Sequence, residues 1–419
     1  MISRIVTLLI ISAIYVLFEL YTLHGVGTAF KGTGGHKAAL TVHVASIAIT
    51  ILAFITVFTV FRRGFIESSL IPNLLLGLAF TFFITKLVFA VFLLSEDVYR
   101  LLKYGYDQIA VLFTSQESTV NFESRRKFIS QLGLVVAALP FSSFLYGVVK
   151  GKYDFRVKNI TLSFPDLPPA FDGFKIVQIS DIHSGSFDSF SSVKKGVEMV
   201  RQQNPDLILF TGDLVNNMAM EIEPYMDLFG SLSARFGKYS VLGNHDYGDY
   251  MSWPSQEAKK INLDKLKEYH QIMGYKLLNN TSVRVEKGQD SILLAGVENW
   301  GIRPFRQTGD LEQAYRDSQD DEFTILMSHD PSHWDEQVLD FKKHVHLTLS
   351  GHTHGMQMGI EIPGIKWSPI KYKYPRWAGL YEEKGQYLYV NRGFGFIGFP
   401  GRVGIWPEIT TIELKRAQV

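Results

Sequence analysis

Five short stretches of this 419-residue chain set aspartate, histidine or asparagine directly after an apolar run, four of them with an adjacent glycine or paired ligand-type residues. The first is Asp181-Ile182-His183, which follows Lys175-Ile-Val-Gln-Ile-Ser180. An Asp and a His two positions apart, where a strand ends, can point at one place. Their mixed oxygen and nitrogen donors suit a divalent cation such as Mn²⁺, Fe or Zn²⁺. The others are Gly212-Asp213 after Asp206–Thr211, Gly243-Asn244-His245-Asp246 after Tyr239–Leu242, His329 after Phe323–Ser328, and Gly351-His352-Thr353-His354 after Val345–Ser350. Singly, each has a plain reading: Asp213 as a helix cap, Asn244 as a turn residue, His329 as a buried histidine, Asp181-x-His183 as a capped turn. Repeated five times, the design points to one ligand-binding rim. In α/β sheets ligands gather outside the carboxyl ends of strands, and glycine lets the backbone turn sharply and approach closely there.

The elements that must carry these residues follow from periodicity. Ile176–Ser180 reads as a buried strand, and Phe155–Phe164 as another, broken by Pro165-Asp-Leu-Pro-Pro169. Val193, Val197 and Val200 at helical spacing predict a helix over Ser191–Gln203, and Glu257–Met273 predicts a second. From Lys152 onward, short apolar runs alternate with amphipathic segments and Gly/Pro/Asn punctuation, the pattern of a layered α/β domain. There is no internal repeat and no low-complexity tract.

The first third is different. Ile5–Leu23, Leu40–Phe61 and Leu70–Leu94 are nearly all apolar, each near the roughly 20 residues that cross a bilayer as a helix. They lack the polar face of a soluble core helix. Gly25–Gly35 links the first two, Arg62 and Arg63 close the second, and Ser95–Arg100 ends the third. Glu19 and Lys86 interrupt the apolar runs; they either face each other inside the bundle or snorkel. A polar segment, Glu96–Glu123, with a mildly amphipathic piece at Ile109–Phe113, leads to Ser124-Arg-Arg-Lys-Phe-Ile-Ser130 and the apolar run Leu132–Val149. Ser-Arg-Arg-x-Phe-Ile resembles a twin-arginine export signal with the apolar run as its core; the two together also read as a fourth transmembrane helix with its basic start held in the cytoplasm. Both readings put Arg125 and Arg126 inside and the chain after Lys150 outside, against the short loop at Arg62 and Arg63. The expected organisation is a transmembrane region over 1–122, the twin-arginine-like segment and fourth helix over 123–150, and a catalytic domain over 151–419.

Composition narrows the function. A net charge of +1 leaves no excess of cations for nucleic acid, so none is expected as a partner. The absence of cysteine removes disulfides, thiolate ligands and a Cys nucleophile.

With the five motifs in the order Asp-x-His, Gly-Asp, Gly-Asn-His-Asp, His, Gly-His-x-His, the chain resembles the calcineurin-like metallophosphoesterase family over about Phe155 to Leu414. The resemblance implies a four-layer α/β/β/α sandwich of two mixed sheets with two divalent metal ions. It implies that Asp181, His183 and His354 hold one metal, that Asn244, His329 and His352 hold the other, that Asp213 bridges them, and that His245 donates a proton. The tail, Val390-Asn-Arg-Gly-Phe-Gly395 with Pro400-Gly-Arg402 and Pro407-Glu-Ile-Thr410, further resembles a membrane-associated bacterial branch. That branch includes phosphodiesterases with twin-arginine signals and a UDP-diacylglucosamine pyrophosphohydrolase of lipid A synthesis. One departure stands out: where the family continues Gly-Asp-x-x-Asp or Glu, this chain has Asn216, which puts tuning of the ligands in question rather than metal binding itself.

The chemistry fits the residues. One carboxylate, Asp213, can offer an oxygen to each of two cations, which together activate water and clamp the oxygens of an in-line displacement. His245 can protonate a departing alkoxide; Asp246 either orients that ring or caps a turn. His333, His344 and His346 are competitors for ligation; His346 is expected in the core or covering it, and His270 at the surface. Trp300, Trp334, Trp367, Trp377, Tyr372, Tyr374 and Phe394 are either packing and interface anchors or the wall of an acyl pocket.

The expectation is an integral protein of the bacterial inner membrane whose domain, on the extracytoplasmic face, hydrolyses a phosphodiester or pyrophosphate, with the bilayer and a lipid-linked phosphoester as partners. The alternatives are a UDP-2,3-diacylglucosamine pyrophosphohydrolase, which needs a cytoplasmic active site, and a non-catalytic membrane sensor or scaffold.

Overall fold

A computed structural model describes residues 2–63, 70–110 and 122–417. The chain divides into two compact units, one helical and one layered, each with its own packing logic.

The helical unit holds α1 (Ile2–Phe30), α2 (His36–Arg63), α3 (Leu70–Ala110) and α4 (Phe122–Val149). All four are long and apolar enough to cross a membrane. Their polarity is inverted relative to a soluble bundle. Leu9, Ile14, Leu17, Phe54, Val91 and Leu139 are exposed, whereas Thr22, Ala29, Ser46, Ala53, Thr81, Ser130 and Ala137 are buried. Small and hydroxylated residues let helices approach closely where lipid, not water, surrounds them. Glu19 and Lys86 turn inward and pair: Lys86 Nζ lies 2.7 Å and His43 Nε2 3.2 Å from Glu19 Oε2, so α1, α2 and α3 meet on one carboxylate.

One sequence expectation changes here. The third apolar span does not end at Ser95–Arg100: α3 continues to Ala110 as 41 helical residues, about 60 Å at the usual rise. Its polar half is held by charged neighbours at helical spacing, Arg100 with Asp97 and Lys103 with Asp107. The basic run at Ser124–Lys127 forms the first turns of α4, with Arg125 3.1 Å from Glu96 and Arg126 3.1 Å from Asp97. Of the piece at Ile109–Phe113, residues 111–113 lie outside the described residues, as do the side chains of Arg62 and Arg63.

The layered unit contains two six-stranded mixed sheets. The first runs β1 (Arg156–Phe164), β14 (Glu408–Arg416), β2 (Phe174–Ile179), β3 (Leu207–Phe210), β4 (Lys238–Ser240), β5 (Lys276–Leu277). The second runs β12 (Gly379–Glu383), β13 (Gln386–Val390), β9 (Leu347–Ser350), β8 (Thr324–Met327), β7 (Asp290–Gly296), β6 (Thr281–Lys287). A separate hairpin joins β10 (Ile360–Ile362) to β11 (Ile365–Trp367). Strands β2, β3 and β4 pair in parallel, as do β7, β8 and β9. Their apolar runs are buried on both faces, which is why they read as continuous rather than alternating.

Alternation decides which layer each side chain enters. Phe174, Ile176, Leu207 and Leu209 meet Leu294, Ile325, Met327, Leu347 and Leu349 between the sheets. Val177, Ile179, Ile208 and Phe210 face the opposite way, onto α5 (Phe190–Arg201), α6 (Met226–Gly230) and α7 (Gln256–Ile272). On the far side, Leu293, Ala295, Leu326 and Val390 pack under α8 (Leu311–Ala314), Trp334 and Val338. The result is the four-layer α/β/β/α sandwich. Each such fully buried aliphatic side chain contributes about 1.5–3 kcal/mol.

His270 departs from its expected surface position. It is fully buried, 2.9 Å from Ser240 Oγ, because Leu266, Tyr269, His270 and Met273 form the inward stripe of the α7 turn sequence. Burial pushes its pKa down to about 3.

Candidate metal centre

The carboxyl ends of five strands, three from one sheet and two from the other, converge on one rim. Strand β2 delivers Asp181 and His183, β3 Asp213, β4 Asn244 and His245, β8 His329, and β9 His352 and His354. Backbone bonds lock these loops together: Asp181 N donates to Gly212 O at 2.9 Å, His183 N to Asp213 O at 3.1 Å, and Gly351 N to His329 O at 2.9 Å. Asp181, His183, Asp213, His352 and His354 all have φ between 46° and 70°. Left-handed backbone at a non-glycine residue costs on the order of 1–3 kcal/mol and gathers where function holds it. Two glycines are needed for closeness: a Cβ on Gly243 would lie 2.2 Å from Asp213 Oδ1, and one on Gly351 2.2 Å from Asp181 Oδ2.

The side chains form two adjoining groups, Asp181 with His183 and His354, and Asp213 with His329 and His352; within each, the potential ligand atoms lie within 4.8 Å of one another. In the first, His183 Nε2 is 3.0 Å from His354 Nε2, which is 3.3 Å from Asp181 Oδ1. In the second, His329 Nε2 is 3.1 Å from Asp213 Oδ2. The same Oδ2 is 3.5 Å from His183 Nε2, so Asp213 belongs to both. Asn244 Oδ1 joins the second group 2.8 Å from His352 Nδ1, and its amide is oriented by donating to Tyr250 Oη at 2.8 Å.

The donor set fits divalent cations. His329 Nδ1 donates to Thr211 O at 2.7 Å, which turns its buried Nε2 inward, toward Asp213 Oδ2. His183 Nδ1 donates to Asn216 Oδ1 at 3.1 Å, again turning a lone pair at Nε2 inward. Such outer partners select the ligating tautomer. The field is cation-seeking: burial pushes the His329 imidazole down, but the Asp213 and Asp181 carboxylates outweigh it and raise the pKa to about 10. Burial pushes the Asp213 carboxyl up, and the imidazoles of His329 and His245 reverse this, holding it well below the usual range.

His245 stands beside both groups. Its backbone N donates to Asp213 Oδ1 at 2.8 Å, and its Nδ1 lies 2.8 Å from Asn216 O, which leaves Nε2 available. Its ring lies 4.4 Å from that of Tyr250. Asp246 does not orient it. The Asp246 carboxylate instead accepts from the backbone of Gly243, Asp213 and Leu214 at 2.8, 2.9 and 2.8 Å, stapling two ligand loops together.

Several supporting roles were not legible in the sequence. Tyr374 Oη is 2.8 Å from His352 Nε2 and 3.3 Å from Asp330 Oδ2, so a Tyr–Asp pair steadies that ring. Arg402, fully buried, donates to the carbonyls of Arg392 and Gly393 at 2.8 and 3.1 Å while lying 3.3 Å from His354 Nδ1. Glu221 accepts from the backbone of Asn217 and Met218 at 3.2 and 3.0 Å and so shapes the loop that carries Asn216. Asp330 adjoins His329, and Arg402 lies in the Pro-Gly-Arg tail, but neither position alone distinguishes a brace from a surface charge. His346, expected in the core or covering it, is buried with its Nε2 2.6 Å from Asp166. His333 stacks on Trp300 at 5.0 Å. The seven aromatics form no single wall: Phe394 lies in the core under α5, Trp334 in the core under α8, Trp377 and Tyr374 in a third cluster, and Trp367 and Tyr372 are exposed.

Comparison with known proteins covers both units. Residues 174–356 match the family described as calcineurin-like phosphoesterase, and residues 3–152 match the one described as probable calcineurin-like phosphoesterase, transmembrane domain. A zebrafish (Danio rerio) transmembrane protein with metallophosphoesterase domain is 30% identical over 72% of this chain and 66% of its own length. The Bos taurus protein of the same description is 28% identical over 71% of this chain and 65% of its own. An uncharacterized metallophosphoesterase of Bacillus subtilis, YkuE, is 29% identical over 70% of this chain and 98% of its own length. This chain thus spans about two thirds of the vertebrate proteins and nearly all of the bacterial one.

Proposed function

The chain belongs to the calcineurin-like metallophosphoesterases, metal-dependent phosphoester hydrolases, here with four membrane-type helices ahead of the hydrolase fold, and on that premise we propose that it cleaves a phosphodiester or pyrophosphate of a lipid-linked substrate at a two-metal centre. Asp181, His183 and His354 would hold one cation, Asn244, His329 and His352 the other, and Asp213 both. When bound, such a pair lowers the pKa of water and neutralises charge on the phosphoryl oxygens. Mn, Fe and Zn all suit this mixed carboxylate, amide and imidazole set.

The chain's own residues supply the rest. Thr211 O and Asn216 Oδ1 hold the imidazoles of His329 and His183 with Nε2 inward. Tyr374 and Asp330 hold His352, and Arg402 backs His354. His245, anchored through Nδ1 to Asn216 O, carries the proton delivered to the leaving oxygen from Nε2. A sensor or scaffold has no need of that aligned acid beside a complete donor set.

The observation that carries the reading is the shared Asp213 Oδ2, 3.1 Å from His329 and 3.5 Å from His183. Hydrolysis of bis-p-nitrophenyl phosphate by the full chain should require added divalent metal and fall by at least about 10³-fold in Asp213→Asn. Retention of activity in that variant ends the two-metal reading.

Sidedness follows the same membrane logic. Lys31, Lys37, Arg100, Lys103, Arg125, Arg126 and Lys127 cluster where α1 and α3 finish and α2 and α4 begin. The positive-inside rule supports a cytoplasmic location for that end and an extracytoplasmic one for the chain after Val149 in a bacterial inner membrane. A reporter fused after Lys152 and read on both sides tests it; a cytoplasmic signal would favour the UDP-diacylglucosamine pyrophosphohydrolase alternative.

A further inference from the structure

The hairpin β10–β11 is built inside out. Its register pairs Ile360 with Trp367 and Ile362 with Ile365, which puts these four side chains on one face. That face is the outer one, with exposures of 49%, 37%, 56% and 54%. The other pair is Glu361, half-buried, and Lys366, exposed, and both reach the domain with their charged ends. Glu361 accepts from Arg392 at 2.9 Å and Lys158 at 3.3 Å; Lys366 donates to Ala378 O and lies over the rings of Trp377 and Tyr381. A two-stranded ribbon on a water-facing surface buries its apolar side and shows its polar one. Here, charge pins the hairpin down and the isoleucines and tryptophan are offered outward around an exposed Pro363-Gly364 tip.

The surroundings narrow the occupant. Tyr372, 78% exposed, sits between exposed Lys371 and Lys373 just beyond the hairpin. Exposed lysines and an aromatic ring that follow an apolar hairpin in the chain match the layered chemistry of a membrane interface, where anionic headgroups overlie hydrocarbon. The patch is four side chains wide, too small for the roughly 800 Å² per partner of a stable protein interface. The same chain carries four membrane-type helices, so a bilayer is always at hand. The hairpin also follows His354 through Gly355–Gly359, with Met356 exposed between them.

We propose that β10–β11 is a membrane-inserting wedge: Ile360, Ile362, Ile365 and Trp367 enter the interface of an anionic bilayer. This deepens the lipid-linked reading of the substrate, and only the kinetic arm of its test rests on that reading.

The chain has no cysteine, so a single introduced one reports cleanly. Full-length Ile362→Cys and, on the facing strand, Ile365→Cys are labelled with nitrobenzoxadiazole in nanodiscs of phosphatidylcholine and phosphatidylglycerol. Both labels should be blue-shifted and quenched about threefold or more by lipid nitroxides, with Lys342→Cys on the surface as the water-exposed reference. Solvent-like emission without lipid quenching overturns the proposal. So does a blue shift without lipid quenching accompanied by Cys–Cys crosslinking of two copies, which assigns the face to a dimer. In the kinetic arm, Ile362→Asp/Ile365→Asp should lose about tenfold on a vesicle-borne phospholipid diester relative to soluble bis-p-nitrophenyl phosphate. If the unaltered chain cleaves no phospholipid, the lipid-substrate reading fails while the labels still decide insertion.

Discussion

Asn216 shows how one substitution in a motif is absorbed. An acidic residue is usual at that position, and its loss suggested weakened tuning. In the structure the amide oxygen of Asn216 receives the His183 Nδ1 proton while its backbone carbonyl receives that of His245. One residue therefore orients a candidate ligand and the candidate acid. Asn216→Ala should lower metal affinity about 10–100-fold, read by metal titration of activity, and Asn216→Asp should restore it; equal affinity in all three would deny the role. His245→Ala should slow alkyl diesters with poor leaving groups about 10²–10⁴-fold and nitrophenyl esters much less. Equal slowing of both classes argues against proton donation.

At the scale of elements, α7 ties stability to pH through His270. Its ring sits neutral against Ser240 with a folded pKa of about 3 against an ordinary 6.5. As pH falls below 6.5 the unfolded chain takes up the proton first, so this share of stability is intact above 6.5 and is lost down toward 3. The slope approaches about 1.4 kcal/mol per pH unit within that window. The melting temperature of the solubilised full chain should drop from pH 7 to 5, and His270→Phe should shallow that drop. An unchanged slope would place the titration elsewhere. The same helix marks a limit of pattern reading. Its extent was legible from periodicity to within a residue, but His270 counts as polar in any such pattern. Only its position one step from Tyr269 on the stripe, under β4, made it core.

At the scale of the molecule, two solvents are served by one chain. The layered unit buries isoleucine and valine, whereas the helical unit exposes them and buries Thr22, Ser46 and Thr81. Within the latter, the Glu19 carboxylate joins three helices through Lys86 and His43. Breaking a buried pair by removing one partner costs on the order of 3–5 kcal/mol, whereas removing both is far milder. Glu19→Gln should therefore lower the midpoint of detergent unfolding, and Glu19→Gln/Lys86→Met should recover much of it. Additive losses would mean that the two do not act as a pair.

Sequence alone determined the membrane-type helices, the strands ahead of each ligand-type residue, and which seven side chains, with His245, were candidates for one centre. Those features are local: apolar runs of a given length, a period, a glycine before a turn, all written in neighbouring residues. The tertiary structure decided what depends on residues far apart. It put Asp213 Oδ2 between His329 and His183, gave Asp246 to backbone amides rather than to His245, and brought Arg402 behind His354 across 48 positions of chain. It also turned the isoleucines of β10–β11 outward. Which way a two-residue period faces is set by what the rest of the fold packs against it, and no local pattern contains that choice.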